Sequence, residues 1–203
     1  MRRSAVLLAV IILIFAGEIA SAQQTDISAN IIGVYTNQVT GKGLTETATK
    51  SGGALLSFRF FPHQHNGVEV NYGYTKNSQL YSALSGVPVT SVQASIHEMT
   101  GAYVFHVNRG PVQPFALAGA GLLIFSPTDS ATKTAYPSIR RQIKPAFLYG
   151  AGLDFRISKQ VAVRAQYRGF VYQAPDFYGE ALALHTGAAM RMAEPSVGVV
   201  YRF

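Results

Sequence analysis

The chain reads as all-β: an eight-stranded antiparallel up-and-down β-barrel that crosses a membrane with strands. Three observations carry this. Apolar residues recur at period two over most of the chain. Long and short connections alternate strictly between the strands so defined. Only 13% of the 203 residues are charged, yet the one long apolar run lies at the extreme N-terminus. A bilayer would therefore have to be crossed by strands.

The N-terminal run reads as an export signal. Met1-Arg2-Arg3 is a basic start, residues 5–17 (AVLLAVIILIFAG) an apolar core, and Ala20-Ser21-Ala22 a small-x-small cleavage site. Residues 1–22 are expected to be removed, leaving residues 23–203 as one barrel domain that starts at Gln23. The sequence has no Cys, which excludes disulfides, thiolate metal sites and lipoprotein anchoring. The formal net charge is +7, but the cations are scattered singly, so a nucleic-acid partner is not expected.

Four strands have one greasy and one polar face. Residues 67–77 set Val68, Val70, Tyr72 and Tyr74 against Glu69, Asn71, Gly73 and Thr75. Residues 144–157 set Phe147, Tyr149, Leu153, Phe155 and Ile157 against Gly150, Gly152, Asp154 and Arg156. Residues 161–172 oppose Val161, Val163, Tyr167 and Val171 to Arg164, Gln166 and Arg168. Residues 191–203 oppose Val197, Val199, Tyr201 and Phe203 to Glu194, Ser196, Gly198 and Arg202. Residues 51–61 and 92–107 alternate less cleanly, with Arg59 and Glu98 on their polar faces. Residues 26–36 and 112–125 are nearly apolar on both sides, and their facing stays open.

The connections 37–50, 78–91, 126–143 and 173–190 are long, whereas 62–66, 108–111 and 158–160 are short. In an up-and-down sheet this puts every long loop at one end, and every short turn with both termini at the other. A soluble sandwich would have a polar outer face; here the apolar face carries Tyr and Phe near strand ends, as an aromatic girdle would. Each strand reaches the roughly 9–11 residues that a tilted crossing needs.

With those features in place, the chain resembles the OmpA/OmpX-like family of small outer-membrane β-barrels. The most specific match is residues 195–203 (PSVGVVYRF), whose alternation ends in aromatic-x-aromatic. The resemblance implies that Val199, Tyr201 and Phe203 form the signal read by the β-barrel assembly machinery. It also implies an outer-membrane location, contact with outer-membrane lipid and lipopolysaccharide, and loops open to an extracellular ligand; the chain is expected to be a monomer. No peptidoglycan-binding domain follows Phe203, so wall anchoring is not carried over.

An eight-stranded lumen is just wide enough to be filled by side chains. The inward set is expected to be Arg59, Glu69, Glu98, Asp154, Arg156, Arg164, Arg168, Glu194 and Arg202, paired as a network because unpaired burial is costly. A structural plug with a surface role therefore ranks first, a small ion channel second. A lipid A-modifying enzyme ranks third, resting on His185-Thr186 with Glu194 or Ser196 and lacking a convincing spacing. No catalytic, cofactor or metal residues are assigned. His97-Glu98-Met99-Thr100-Gly101 has Gly101 where a zinc site needs its second His. The stretch 150–155 lacks the third Gly of a dinucleotide loop, and His63 and His65 have no evident third ligand.

Overall fold

A computed structural model describes residues 24–85, 88–107, 110–128, 141–175, 177 and 186–203. The strands are β1 (Gln24–Thr36), β2 (Val39–Gly41), β3 (Leu44–Ala48), β4 (Ser51–Phe61), β5 (Asn66–Ala83), β6 (Pro88–His106), β7 (Val112–Pro127), β8 (Gln142–Arg156), β9 (Val161–Gln173) and β10 (Ala189–Arg202). Eight of them close a ring in the order β1-β4-β5-β6-β7-β8-β9-β10, with β10 returning to β1. All of these ladders are antiparallel. Closure leaves no sheet edge, so backbone groups along the wall meet one another without water.

The segment 37–50, expected as a loop, holds the short hairpin β2–β3. Lys42 and Gly43 turn it with φ of 48° and 84°, and β3 pairs with the upper end of β5. The segment 78–91 is also largely strand, because β5 and β6 stay paired to Ser82 and Pro88. Its Ser-rich composition signals a loop, but inward-facing Tyr81, Val92 and Ala94 bury against the interior and hold the ladder together.

The pleat decides the two faces. Ile31, at 74% exposure, and Val70, Tyr72, Met99, Phe147, Tyr167 and Val197 all point out, giving the wall an apolar exterior. The facing left open in β1 resolves with Asp26, Ser28, Asn30, Ile32 and Val34 inward. In β7, Gln113, Phe115, Leu117, Leu123 and Phe125 point inward. The β1–β10 ladder lapses between the pairs Ile32–Ser196 and Tyr35–Ala193, beside Pro195, which has no N–H to donate.

Candidate functional site in the lumen

Strand periodicity delivers charged side chains to the interior in two layers, both in the half nearer the short turns. The lower layer is built from β1, β4, β5, β7, β8, β9 and β10. Arg164 makes a two-pronged contact with Asp154, Nε to Oδ1 at 2.7 Å and Nη2 to Oδ2 at 2.9 Å. Its Nη2 also lies 3.4 Å from both oxygens of Asp26, and its Nη1 donates to Ser28 Oγ at 3.2 Å. Arg202 donates to Asp154 Oδ2 at 2.9 Å and to Gln113 Oε1 at 2.6 Å. Arg59 pairs with Glu69, whose other oxygen accepts from Asn71 at 2.8 Å.

Phe115 meets two of the three guanidinium groups of this layer. Its ring centre is 4.0 Å from Cζ of Arg59 and 5.3 Å from Cζ of Arg164. The π system of one ring thus attracts two like charges. Neither Nη of Arg59 meets a hydrogen-bond acceptor among the described residues, so the ring is the contact that remains to them.

In the upper layer Arg168 bonds Glu98 and stands 3.9 Å from Glu194. Thr100 donates to the same Glu98 at 2.9 Å, and Phe170 stacks 5.1 Å from the guanidinium. Beyond this layer, towards the long loops, the interior turns mainly apolar: Ile32, Val34, Leu123, Phe125, Leu148, Phe170, Tyr172, Met190 and Met192 are all buried in one cluster, with Asn77 and Gln79 bonded to each other on the β5 side. At the top, Tyr81 donates to the Pro175 carbonyl at 2.9 Å and contacts Glu46 at 3.3 Å.

Eight of the nine expected inward charges are buried in these layers: Arg59, Glu69, Glu98, Asp154, Arg164, Arg168, Glu194 and Arg202. Arg156 is the correction. It has the right parity, but it lies at the strand end, where its exposed side chain donates to the Gly110 carbonyl at 2.8 Å. Asp26 joins in its place. The signal for it was present in the polar residues Asp26, Ser28 and Asn30 at every second position, masked by the apolar residues around them. The interior balance inverts accordingly, to four arginines and five carboxylates in the two layers.

The remaining motifs separate. His97 and Glu98 are neighbours on one strand, so they project to opposite faces and cannot share a metal. His65 stacks on Phe105 at 6.2 Å while His63 is exposed. Residues 150–155 lie within β8. His185 lies outside the described residues, and Glu194 faces Arg168. Among the described residues no three His, Asp or Glu side chains converge as a metal site. Val199, Tyr201 and Phe203 face outward, with Tyr201 and Phe203 edge-to-face at 5.1 Å and the Phe203 N–H on the Thr25 carbonyl at 3.0 Å.

A closed eight-stranded wall with an apolar exterior and charges confined within is a membrane-spanning β-barrel protein. The profile of the outer membrane protein beta-barrel domain matches residues 6–203, and the chain belongs to that family. No curated protein matches the chain significantly. Among solved structures, OprG of Pseudomonas aeruginosa is 13% identical, with a TM-score of 0.65 over 90% of this chain and 96% of that one. Neisserial surface protein A is 16% identical, with a TM-score of 0.59 over 88% and 97%. Ail of Yersinia pestis, in complex with the heparin analogue sucrose octasulfate, is 17% identical, with a TM-score of 0.55 over 90% and 99%. All are small outer-membrane barrels, and at these identities they speak to the fold.

Proposed function

We propose that this outer-membrane protein serves as a structural and surface-interacting element of the envelope, with a lumen closed to ions. The arrangement of the interior carries the reading. Two ionic layers fill the short-turn half, and in the loop half an apolar cluster packs around a few buried polar side chains such as Asn77 and Gln79, which bond each other, so the interior offers a hydrated ion no continuous polar path. Planar-bilayer recording of refolded protein tests it: no steady single-channel current is expected, and a steady conductance reduced by Arg164→Ala or Arg168→Ala would replace the plug with a pore. One observation favours that second reading as the runner-up, namely that Arg168 stands between Glu98 and Glu194 and has two carboxylates to choose from.

In this reading residues 1–22 are cleaved on export, the short turns face the periplasm and the long loops face outward. Val199, Tyr201 and Phe203 are presented to the assembly machinery. The loop end has exposed Lys42, Lys50 and Arg141, so an extracellular ligand there would be anionic. Ail, crystallised with a sulfated sugar, lends support to that class of ligand.

A further inference from the structure

All six acidic side chains among the described residues, Asp26, Glu46, Glu69, Glu98, Asp154 and Glu194, are buried inside the barrel. The exposed charges among the described residues are all cations. On the outer wall one of them, Lys76, occupies a built position. Asn66 begins β5, and Lys76 follows it by about the number of residues that a tilted strand uses to cross a bilayer. Lys76 thus stands where β5 leaves the hydrocarbon on the loop side.

There it lines a polar cleft of about 180 Å³ together with Thr49, Ser78, Gln93 and Thr128. Thr49 Oγ1 accepts the Ser78 N–H at 2.9 Å, which leaves its own hydroxyl proton to donate. Lys50, the next residue, places its ammonium 5.8 Å from the Tyr35 ring on the adjoining wall. Nearer the membrane centre, Tyr72 and His97 share a hydrogen bond of 2.9 Å, and Tyr74 meets His97 edge-on at 5.1 Å. Beside that aromatic group lies an outward-facing groove of about 260 Å³ lined by Leu56, Phe58, Val70, Tyr72 and Met99.

We propose that this track binds one phosphorylated lipid of the loop-side leaflet, its phosphate against Lys76 and Thr49 and an acyl chain in the groove below. A compact ammonium flanked by hydroxyl and amide donors suits a phosphate, and no described carboxylate competes for it. Tyr72 and Lys76 are four residues apart, about 13 Å along a strand, so headgroup and chain contacts fall on one molecule. The charge of the exterior is complementary to an anionic leaflet.

The proposal rests on the membrane-embedded reading, and the test keeps the two separate. The full mature barrel is refolded in detergent, its gel shift on boiling is recorded, and dioleoyl phosphatidic acid is titrated and counted by native mass spectrometry. Dioleoylglycerol supplies the chains without the phosphate, and inorganic phosphate supplies the anion without the chains. Wild type is expected to retain phosphatidic acid. Lys76→Ala and Thr49→Val together should weaken retention about tenfold, the scale of one charge-assisted contact. Lys159→Ala, at a short turn, should leave it unchanged. Equal retention by the double variant, an equal loss in Lys159→Ala, or competition by inorganic phosphate as strong as by the lipid would each overturn the site. Absence of a gel shift in wild type would instead remove the barrel reading. Should Lys76→Ala not fold, Lys76→Gln, which keeps most of the stem, takes its place under the same criteria.

Discussion

Arg164 shows what one side chain does in the interior of a thin-walled barrel. It is fully buried, and it neutralises Asp154 while approaching Asp26. Removing it strands Asp26 and leaves Asp154 with Arg202 alone, and breaking a buried pair from one side costs about 3–5 kcal/mol. Arg164→Met is therefore expected to lower the unfolding free energy of the detergent-refolded barrel by that amount, seen as a lower urea midpoint in the gel-shift assay. Arg156→Ala, whose side chain is exposed at the rim, should change stability by less than about 1 kcal/mol in the same assay. The contrast states the limit of parity as a signal: alternation tells which side of the wall a residue faces, but not whether it sits deep in the lumen or at its mouth.

At the scale of elements, β7 explains its own ambiguous sequence. Its inward positions include Gly119 and Gly121, where a Cβ would run into the backbone of β6 at Gly101 and Met99. A strand that must lie so close to its neighbour cannot display large side chains at every second position, so the pattern blurs. Gly121→Val is expected to prevent closure, seen as loss of the boiling-dependent gel shift. The β2–β3 hairpin stands in the opposite position. The register of β1 with β4 runs from Gln24–Phe61 to Val34–Ser51 without it. Replacing residues 38–49 by a short Gly-Ser turn should therefore preserve the gel shift while loosening the loop end, where Val39 and Leu44 are buried, as measured by faster proteolysis.

For the whole molecule the governing fact is the sorting of charge. Among the described residues the acidic side chains lie within, cations lie within and without, and the wall between the two ends is coated with Ile27, Ile31, Val70, Phe147, Val197 and their neighbours. Such a surface has no stable form in water, because its contiguous apolar band far exceeds what soluble monomers expose. Purified protein is expected to be monodisperse only with detergent or lipid, checked by light scattering. A monodisperse species in plain buffer would contradict the membrane-spanning reading.

The inward parity of Arg59, Glu69, Glu98, Asp154, Arg164, Arg168, Glu194 and Arg202 follows from covalent geometry, since side chains on a strand alternate whatever surrounds them, and the same alternation marks the eight strands of the barrel wall but not the β2–β3 hairpin. The chain alone therefore specified the class of fold and most of the charged lining. Which charges meet was another matter. Asp26 and Arg164 lie 138 residues apart and touch because the ring closes β1 onto β10 next to β9. The layering into ionic and mainly apolar halves, the contact of Phe115 with two arginines and the exclusion of Arg156 all depend on strand tilt and stagger. Those are properties of the closed sheet. Local alternation fixes a face, whereas height and partners along the lumen are set by closure, which no single strand contains.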